Sequence, residues 1–270
     1  MRPARQPALF ISHGGGPSFW MSYPPPIGPH GFDKLRLHLA GLVADLPQRP
    51  KAILVISAHW EEDHVTVSTS PAPPMLFDYY GFPPHTYQLS YPAPGDPGLA
   101  KNLRNLLGNA GIASKENCTR GFDHGVFVPF MIIDPDAEIP VVMMSLEHNL
   151  DPARHLAIGA ALAPLRDEGV LIVGSGNSFH NLRTMFSDDA GASQHFDHWL
   201  TETIELSDGA ARAARLTAWD RAPAARLCHP REEHLIPLMV AAGAGGSERG
   251  VRVFHDTIGG KAISGYAFGM

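Results

Sequence analysis

The chain has 270 residues, of which 44% are hydrophobic and 18% are charged, and its formal net charge is −6 with the histidines neutral. A charged fraction below the typical value of roughly a quarter indicates a compact body with much buried apolar surface. The basic patches of a nucleic-acid binder are missing, and so is the run of about eighteen apolar residues that would span a membrane. We therefore expect neither a nucleic acid nor a membrane as a partner.

The two cysteines, Cys118 and Cys228, are far apart and have no C-x-x-C spacing. This pattern favours free thiols over a disulfide framework or a zinc finger. The first apolar run of the chain is too short for a signal peptide. Together these features predict a cytoplasmic protein.

The first sixty residues predict a strand, a loop, a helix and a second strand. The apolar run 8–12 ends at His13, which is followed by three glycines. Apolar residues at helical spacing predict a helix over 32–46. A second apolar run, 52–57, leads into His59. Because each apolar run reads as a buried strand, both histidines are expected just beyond the carboxyl end of a strand.

The middle of the chain predicts an outer strand, a long loop and a helix. Alternating residues over 65–70 predict the strand. The segment 71–97 is rich in proline, glycine and aromatic residues, and irregular segments of this length are usually functional. Asp96 is a suitable N-cap for a helix that reaches residue 110.

The second half continues the alternation of strands and helices. An apolar stretch covers 126–133, strands are predicted over 140–146 and 170–173, helices over 153–166, within 193–227 and over 232–244, and two strands between 251 and 268 around a glycine turn. This alternation predicts an α/β fold with a central, largely parallel or mixed sheet flanked by helices. Because no repeat or linker interrupts it, one domain is expected over residues 1–270.

Four of the fifteen histidines occupy positions that favour a metal site. Ligands of open α/β sheets bind outside the carboxyl ends of the strands, and His13, His59 and His180 follow predicted strands. His234 is predicted in the first turn of the helix over 232–244. An imidazole metal site needs three or four such nitrogens around one point. One histidine at such a position is as well explained by a structural role, but several together favour a metal.

The remaining histidines carry weaker signals. His85 and His148 are ambiguous, His255 lacks a supporting motif, and His229 is close enough to His234 in sequence to approach the site from the preceding loop. The others occur in polar or helix-surface contexts and are expected to be solvated; they are His30, His38, His64, His155, His195 and His198.

Five short motifs occur in order along the chain. They are Phe-Ile-Ser-His-Gly-Gly-Gly-Pro at 10–17, Ser-Ala-His-Trp at 57–60, Gly-Phe-Asp-His-Gly at 121–125, Gly-Asn-Ser-Phe-His-Asn-Leu at 176–182 and Glu-His-Leu-Ile-Pro-Leu at 233–238. In this order they resemble the class III (LigB-like) extradiol ring-cleavage dioxygenases, and most closely the 4,5-DOPA-dioxygenase-like branch. The first motif departs from that branch by an extra glycine after the histidine.

The resemblance implies a non-haem Fe(II) that binds a catechol and O2, with Zn(II) as the ion expected in purified protein because zinc binds more tightly. It also implies His13, His59 and His234 as the metal ligands. Many members of the wider class have a carboxylate as the third ligand, so Glu233 or Glu232 remains an alternative for that position.

The resemblance further implies a proton-transfer role for His180. This residue would take a proton from the catechol and return one later, which suits an imidazole near neutral pH. Alternatively, His180 is a fourth ligand in a resting, zinc-loaded form. His124 would be a second polar contact to substrate or oxygen.

Aromatic side chains around the long loop are candidates for the substrate pocket, although a role as loop anchors explains them equally well. They are Tyr79, Tyr80, Phe82 and Tyr87, with Trp20 and Trp60. A serine hydrolase is disfavoured because the G-x-S-x-G elbow is missing. A zinc-dependent hydrolase and a non-enzymatic binding protein remain the alternatives. Either a monomer or a small homo-oligomer is expected.

Overall fold

The computed structural model describes residues 4–186 and 191–270. Its described strands form one mixed eight-stranded sheet. The strands are β1 (Ala8–Ser12), β2 (Ala52–Glu62), β3 (Val65–Ser68), β4 (Ser114–Asn117), β5 (Val141–Glu147), β6 (Val170–Gly176), β7 (Gly250–Ile258) and β8 (Lys261–Phe268). Their order across the sheet is β4-β3-β5-β2-β6-β1-β8-β7.

The centre of the sheet is parallel. The strand β6 pairs in parallel with β1 on one side and with β2 on the other, and β2 pairs in parallel with β5. Beyond β1, the strand β8 pairs with β1 in the antiparallel orientation, and β7 pairs with β8 in the same way. The strands β1, β5 and β6 are buried along their whole length, as expected for strands covered on both faces. The predicted α/β fold with a mixed sheet is confirmed.

The described helices cover the sheet. They are α1 (Asp33–Gly41), α2 (Pro97–Asn109), α3 (His124–Ile133), α4 (Pro152–Leu162), α5 (Pro164–Asp167), α6 (Gly191–Ile204), α7 (Gly209–Thr217), α8 (Ala225–Cys228) and α9 (Ile236–Gly245). None of these described helices has both the length and the apolar character needed to cross a membrane.

Helices α3 and α9 lie on opposite faces of β6. Ser175 donates a hydrogen bond from its hydroxyl to the carbonyl of Gly125 in α3. On the other face, a Cβ on Gly174 or Gly176 would meet backbone of the segment 234–237 that leads into α9. Because side chains alternate across a strand, the end of β6 presents its serine to one helix and its glycines to the other.

Several predicted boundaries were wrong. The strand β2 continues to Glu62, because its pairing with β5 resumes at Glu61 after a register shift beyond Ile56. His59 therefore lies within this strand rather than beyond it. The strand β3, which was predicted to be an outer strand, is not at the edge of the sheet, because β4 pairs with it there. The sequence of β4, Ser-Lys-Glu-Asn, is polar and is typical of a loop.

The helix predictions also needed correction. The first helix ends at Gly41 instead of 46. Pro164 divides the helix expected over 153–166 into two, because a proline cannot donate the helical hydrogen bond. The last helix begins at Ile236, so His234 precedes it. By contrast, the N-cap at Asp96 is confirmed, since its carboxylate accepts from the Leu99 amide.

Candidate metal centre

Three histidines from separate parts of the chain meet at the carboxyl end of the central strands. One ring nitrogen each of His13, His59 and His234 lies within 4.8 Å of the others. The Nε2 atoms of His13 and His59 are 3.1 Å apart. His13 and His234 are buried and His59 is half-buried. The structure therefore brings together the three residues that the sequence predicted as ligands.

The central strand β6 explains this convergence. It lies between β1 and β2, so His13 and His59 approach the same point from its two sides. His234 is held at the end of β6, because the amide of Asn177, the residue after this strand, donates to the His234 carbonyl at 3.0 Å. A Cβ on Gly176 would lie only 2.1 Å from that carbonyl oxygen. A glycine at this position is therefore what lets the segment before α9 reach the centre.

Hydrogen bonds determine which nitrogen of His13 carries the proton. The Ser175 hydroxyl donates to the Gly125 carbonyl at 2.5 Å. Its oxygen can then only accept at His13 Nδ1, which is 3.1 Å away. Nδ1 is therefore protonated, and the lone pair of His13 is on Nε2, towards His59 and the side-chain amide of Asn177.

Two carboxylates lie behind the histidine rings. Asp78 Oδ1 accepts from the backbone amide of His124 at 2.9 Å and from its Nδ1 at 2.8 Å, and Oδ2 is 3.7 Å from His59 Nδ1. Glu233 Oε1 is 3.0 Å from Nδ1 of both His234 and His180. Carboxylates in this position orient imidazoles so that their other nitrogen can bind a metal.

Burial controls the charge of the centre. It lowers the pKa of His13, His59 and His234 well below the usual value, and neighbouring histidines lower each pKa further. These three imidazoles are therefore neutral at pH 7. Burial raises the pKa of Asp78, but the hydrogen bonds from His124 and the charge interactions with His124 and His59 together outweigh this effect, so that the pKa is lowered. The site thus combines neutral nitrogen donors with nearby negative charge.

His180 lies beside the three-histidine group. Its ring stacks on that of His234 at 3.4 Å between centroids. Its nitrogens group with Glu233 and His234 rather than with His13 and His59. The backbone amide of His180 donates to the Cys228 carbonyl at 3.0 Å, so the loop after β6 is fixed to the last residue of α8.

The other candidate residues take different positions. The His124 ring lies 3.8 Å from the His59 ring at the start of α3. Glu232 forms an ion pair with Arg226 at 2.5 Å, whereas Glu233 faces the histidines. His229 is buried and does not join the histidine group. Its Nε2 donates to the Ser178 carbonyl at 2.9 Å, which fixes the segment before His180, and burial lowers the pKa of His229 to about 4.

Some predictions for the remaining histidines were wrong. His155 is buried, with Nδ1 bonded to the Asp151 carbonyl and Nε2 accepting from the Glu147 amide. His38 stacks on Phe254. Of the two ambiguous residues, His148 pairs with Glu61 at the cavity entrance. Nothing in the local sequence of His155 distinguishes it from a surface residue.

A cavity of about 820 Å³ opens onto the centre. Among the predicted aromatic residues, Tyr79 and Phe82 line it, whereas Tyr80 is exposed and Tyr87 packs behind Tyr79. Trp20 and Trp60 are not among the described lining residues. Other lining residues were not predicted from the sequence, and these include Tyr23, Phe32, Phe179, Leu182, Met185 and Phe186.

Comparison with known proteins assigns the class of this site. Residues 7–269 match the family described as the catalytic LigB subunit of aromatic ring-opening dioxygenase. The chain belongs to this family. The family supports the ring-opening prediction over the zinc hydrolase and the binding protein.

Individual relatives agree with this assignment. The chain is 42% identical to a 4,5-DOPA dioxygenase extradiol of Beta vulgaris, over 80% of this chain and 81% of the relative. It is 37% identical to Dioxygenase tasH of Hapsidospora irregularis, over 97% and 85% of the two chains. The crystal structure of an uncharacterized protein from Escherichia coli K12 superimposes with a TM-score of 0.77 at 30% identity, covering 98% of this chain and all of the other. Family and relatives together support an extradiol dioxygenase function.

Proposed function

We propose that His13, His59 and His234 hold one ferrous ion, and that the enzyme opens the ring of a catechol next to its two hydroxyl groups, with both atoms of O2 entering the product. The relatives named 4,5-DOPA dioxygenase support a dihydroxyphenyl compound as the substrate. The observation that carries the proposal is the convergence of three neutral imidazoles at one end of a cavity large enough for an aromatic ring.

The donor set fits a divalent metal. Bonds from imidazole to such ions are about 2.0–2.1 Å long, so two nitrogens at a right angle around one ion lie about 3 Å apart. The Nε2 atoms of His13 and His59 are 3.1 Å apart. Because the three imidazoles are neutral at pH 7, no proton has to leave before a metal binds.

The other two ligand histidines are oriented like His13. Glu233 accepts from His234 Nδ1, and Asp78 lies on the Nδ1 side of His59. The nitrogen directed to the common point is therefore Nε2 in each ring. The two carboxylates offset the charge of a bound cation without joining the three-histidine group.

Iron is proposed rather than zinc because zinc has no redox chemistry. When bound, a ferrous ion would supply electron transfer between the catecholate and O2, which would be held side by side. Sites of this kind generally bind Zn²⁺ more tightly than Fe²⁺. Protein purified without control of the metal would therefore carry zinc and be inactive until it is exchanged.

The residues around the centre would move protons and position the substrate. His180 donates from Nδ1 to Glu233, so its Nε2 can take the proton of a catechol hydroxyl and return it later. His124 donates from Nδ1 to Asp78, so its Nε2 can accept a hydrogen bond from the substrate. The aromatic rings of Tyr79 and Phe82 would exclude water from the reacting ring.

Anaerobic metal exchange with an oxygen electrode tests the proposal. After chelation, the protein is reloaded with Fe(II) or Zn(II) and given catechol, 4-methylcatechol or DOPA. The iron form is expected to consume one O2 per catechol and to form a yellow semialdehyde, and the zinc form to consume none. His198→Ala, which changes an exposed histidine, should behave like the unchanged protein. An iron-loaded protein that consumes no O2 with any of these catechols refutes the proposal.

A further inference from the structure

The cavity has a polar end and an apolar remainder. Histidines occupy the polar end. The apolar part is formed by side chains from three segments of the chain, and these include Ile27, Phe32, Leu182, Met185, Phe186 and Ile258. The volume of about 820 Å³ is in the range of about 300–1,000 Å³ that buries a drug-sized ligand. A ring with two hydroxyl groups would therefore fill only a small part of it.

The apolar segments are in contact and form one continuous surface. A Cβ placed on Gly259 would lie 2.9 Å from the side chain of Ile27 and 3.4 Å from the Met185 carbonyl. The turn after β7 therefore touches both other segments. Tyr23 packs against Phe32 at 5.3 Å between ring centroids and donates its hydroxyl hydrogen to the Gly15 carbonyl. Its polar atom is thus already bonded within the protein.

The charged groups of the cavity already have protein partners. Arg231 forms two hydrogen bonds with Glu61, at 2.6 and 2.5 Å. Asp78 binds His124, and Glu233 binds His180. Among the described lining residues, these three carboxylates outnumber the single guanidinium. The carboxylate of an amino-acid substituent would have to displace Glu61 from Arg231, and it would face repulsion from the remaining acids.

Two apolar side chains at the entrance are exposed to water. Leu182 is 68% exposed and Phe186 is 55% exposed, although both line the cavity. A long apolar group that extends from the metal centre would cover them. Removing such surfaces from water is favourable in proportion to the area covered.

We infer that the preferred substrate is a catechol that carries a large apolar substituent, which binds in the apolar part of the cavity with the two hydroxyls at the histidines. This inference rests on the proposed function and specifies its substrate class. Burial of each methylene group contributes about fourfold in affinity. Binding should therefore strengthen steadily as an alkyl substituent lengthens.

A series of 4-alkylcatechols from methyl to heptyl tests this on the unchanged protein. Calorimetry measures binding to the zinc-loaded form, and oxygen uptake gives kcat/KM for the iron-loaded form. We expect affinity to rise by about two- to fourfold per methylene, and DOPA to bind at least about tenfold more weakly than 4-propylcatechol. Affinity that does not change with chain length overturns the inference, as does tighter binding of DOPA or dopamine than of 4-propylcatechol.

A pair of variants locates the effect. Ile27→Asp places a charge in the apolar part, and Leu37→Asp makes the same kind of change on the exposed side of α1, where Leu37 is 76% exposed. The ratio of heptylcatechol to methylcatechol affinity should fall at least about tenfold in the first variant and stay unchanged in the second. Equal ratios in both variants contradict the inference.

The two proposals fail in different ways. Absence of oxygen uptake with every catechol refutes the ring-opening proposal, while the calorimetric series on the zinc form still decides the substituent preference. Oxygen uptake that is the same for catechol and heptylcatechol, together with binding that does not depend on chain length, refutes only the substituent preference.

Discussion

A single methyl group on β6 should disrupt the proposed metal centre. In Gly176→Ala the new Cβ would lie 2.1 Å from the His234 carbonyl oxygen, whereas real Cβ contacts essentially never fall below 3.0 Å. One of the two must move by about 0.9 Å. Because Phe10 lies at 3.0 Å from the same Cβ position and β6 is buried between two strands, the segment that carries His234 is the part that moves.

The size of the effect follows from this displacement. A misplacement of about 1 Å at a catalytic group can cost about a hundredfold in rate, and overpacking a core costs about 1–3 kcal/mol of stability. We therefore expect Gly176→Ala to weaken metal binding at least about tenfold and to lower kcat/KM about a hundredfold. The hydrogen bond from the Asn177 amide to the His234 carbonyl should also be lost.

Competition with a chelator measures the metal affinity, and thermal unfolding shows that the variant is folded at the assay temperature. Gly108→Ala is the matched control, since Gly108 is exposed in α2 and a Cβ there meets nothing within 4 Å. An alanine at that helical position should be neutral or stabilising. A folded Gly176→Ala protein with unchanged metal affinity would show that the close approach of His234 to β6 does not position the ligand.

Four further predictions concern the histidines. His13→Ala should lose the metal, whereas His180→Gln should keep it and lose turnover; equal metal loss, measured by elemental analysis, would make His180 a ligand. Because the pKa values of His13, His59 and His234 are lowered, Mn²⁺ binding to the metal-free protein at pH 6.5 should release almost no protons. Three ordinary histidines would release roughly 1.5 protons, and calorimetry in buffers of different ionisation enthalpy distinguishes the two results. The lowered pKa values also affect stability. Below pH 7 the histidines of the unfolded state take up protons, while the same three histidines stay neutral in the folded state. The free energy of unfolding of the metal-free protein should therefore fall as the pH is lowered from 7 to 5, and constant stability would contradict this. Ser175→Ala removes the acceptor for His13 Nδ1 and should weaken metal binding about 10- to 100-fold, and unchanged chelator competition would exclude this role.

The sequence could predict the centre of the fold because burial leaves a clear pattern there. The apolar runs that became β1, β5 and β6 are strands covered on both faces, and they could be recognised without any partner. The strand β4 could not be predicted, because its exposed polar side chains read as a loop and only its pairing with β3 makes it a strand.

The candidate site could be predicted only in part, for a related reason. His13 and His59 follow or belong to buried strands, and strand ends meet at one edge of the sheet. The partner of His124 is Asp78, which is 46 residues away in an irregular segment. No periodicity indicates which residue of such a loop faces the site. His155 is the opposite case, because its sequence context predicted a solvated residue. In the structure its ring is buried, and hydrogen bonds with the backbone compensate for the loss of water.

Anomalous diffraction from crystals of the iron-loaded protein, recorded at the iron absorption edge, tests the central claim most directly. One peak is expected at bonding distance, about 2.0–2.1 Å, from Nε2 of His13, His59 and His234. A peak between Asp78 and His124, or one bound by Glu233 and His180, would contradict it.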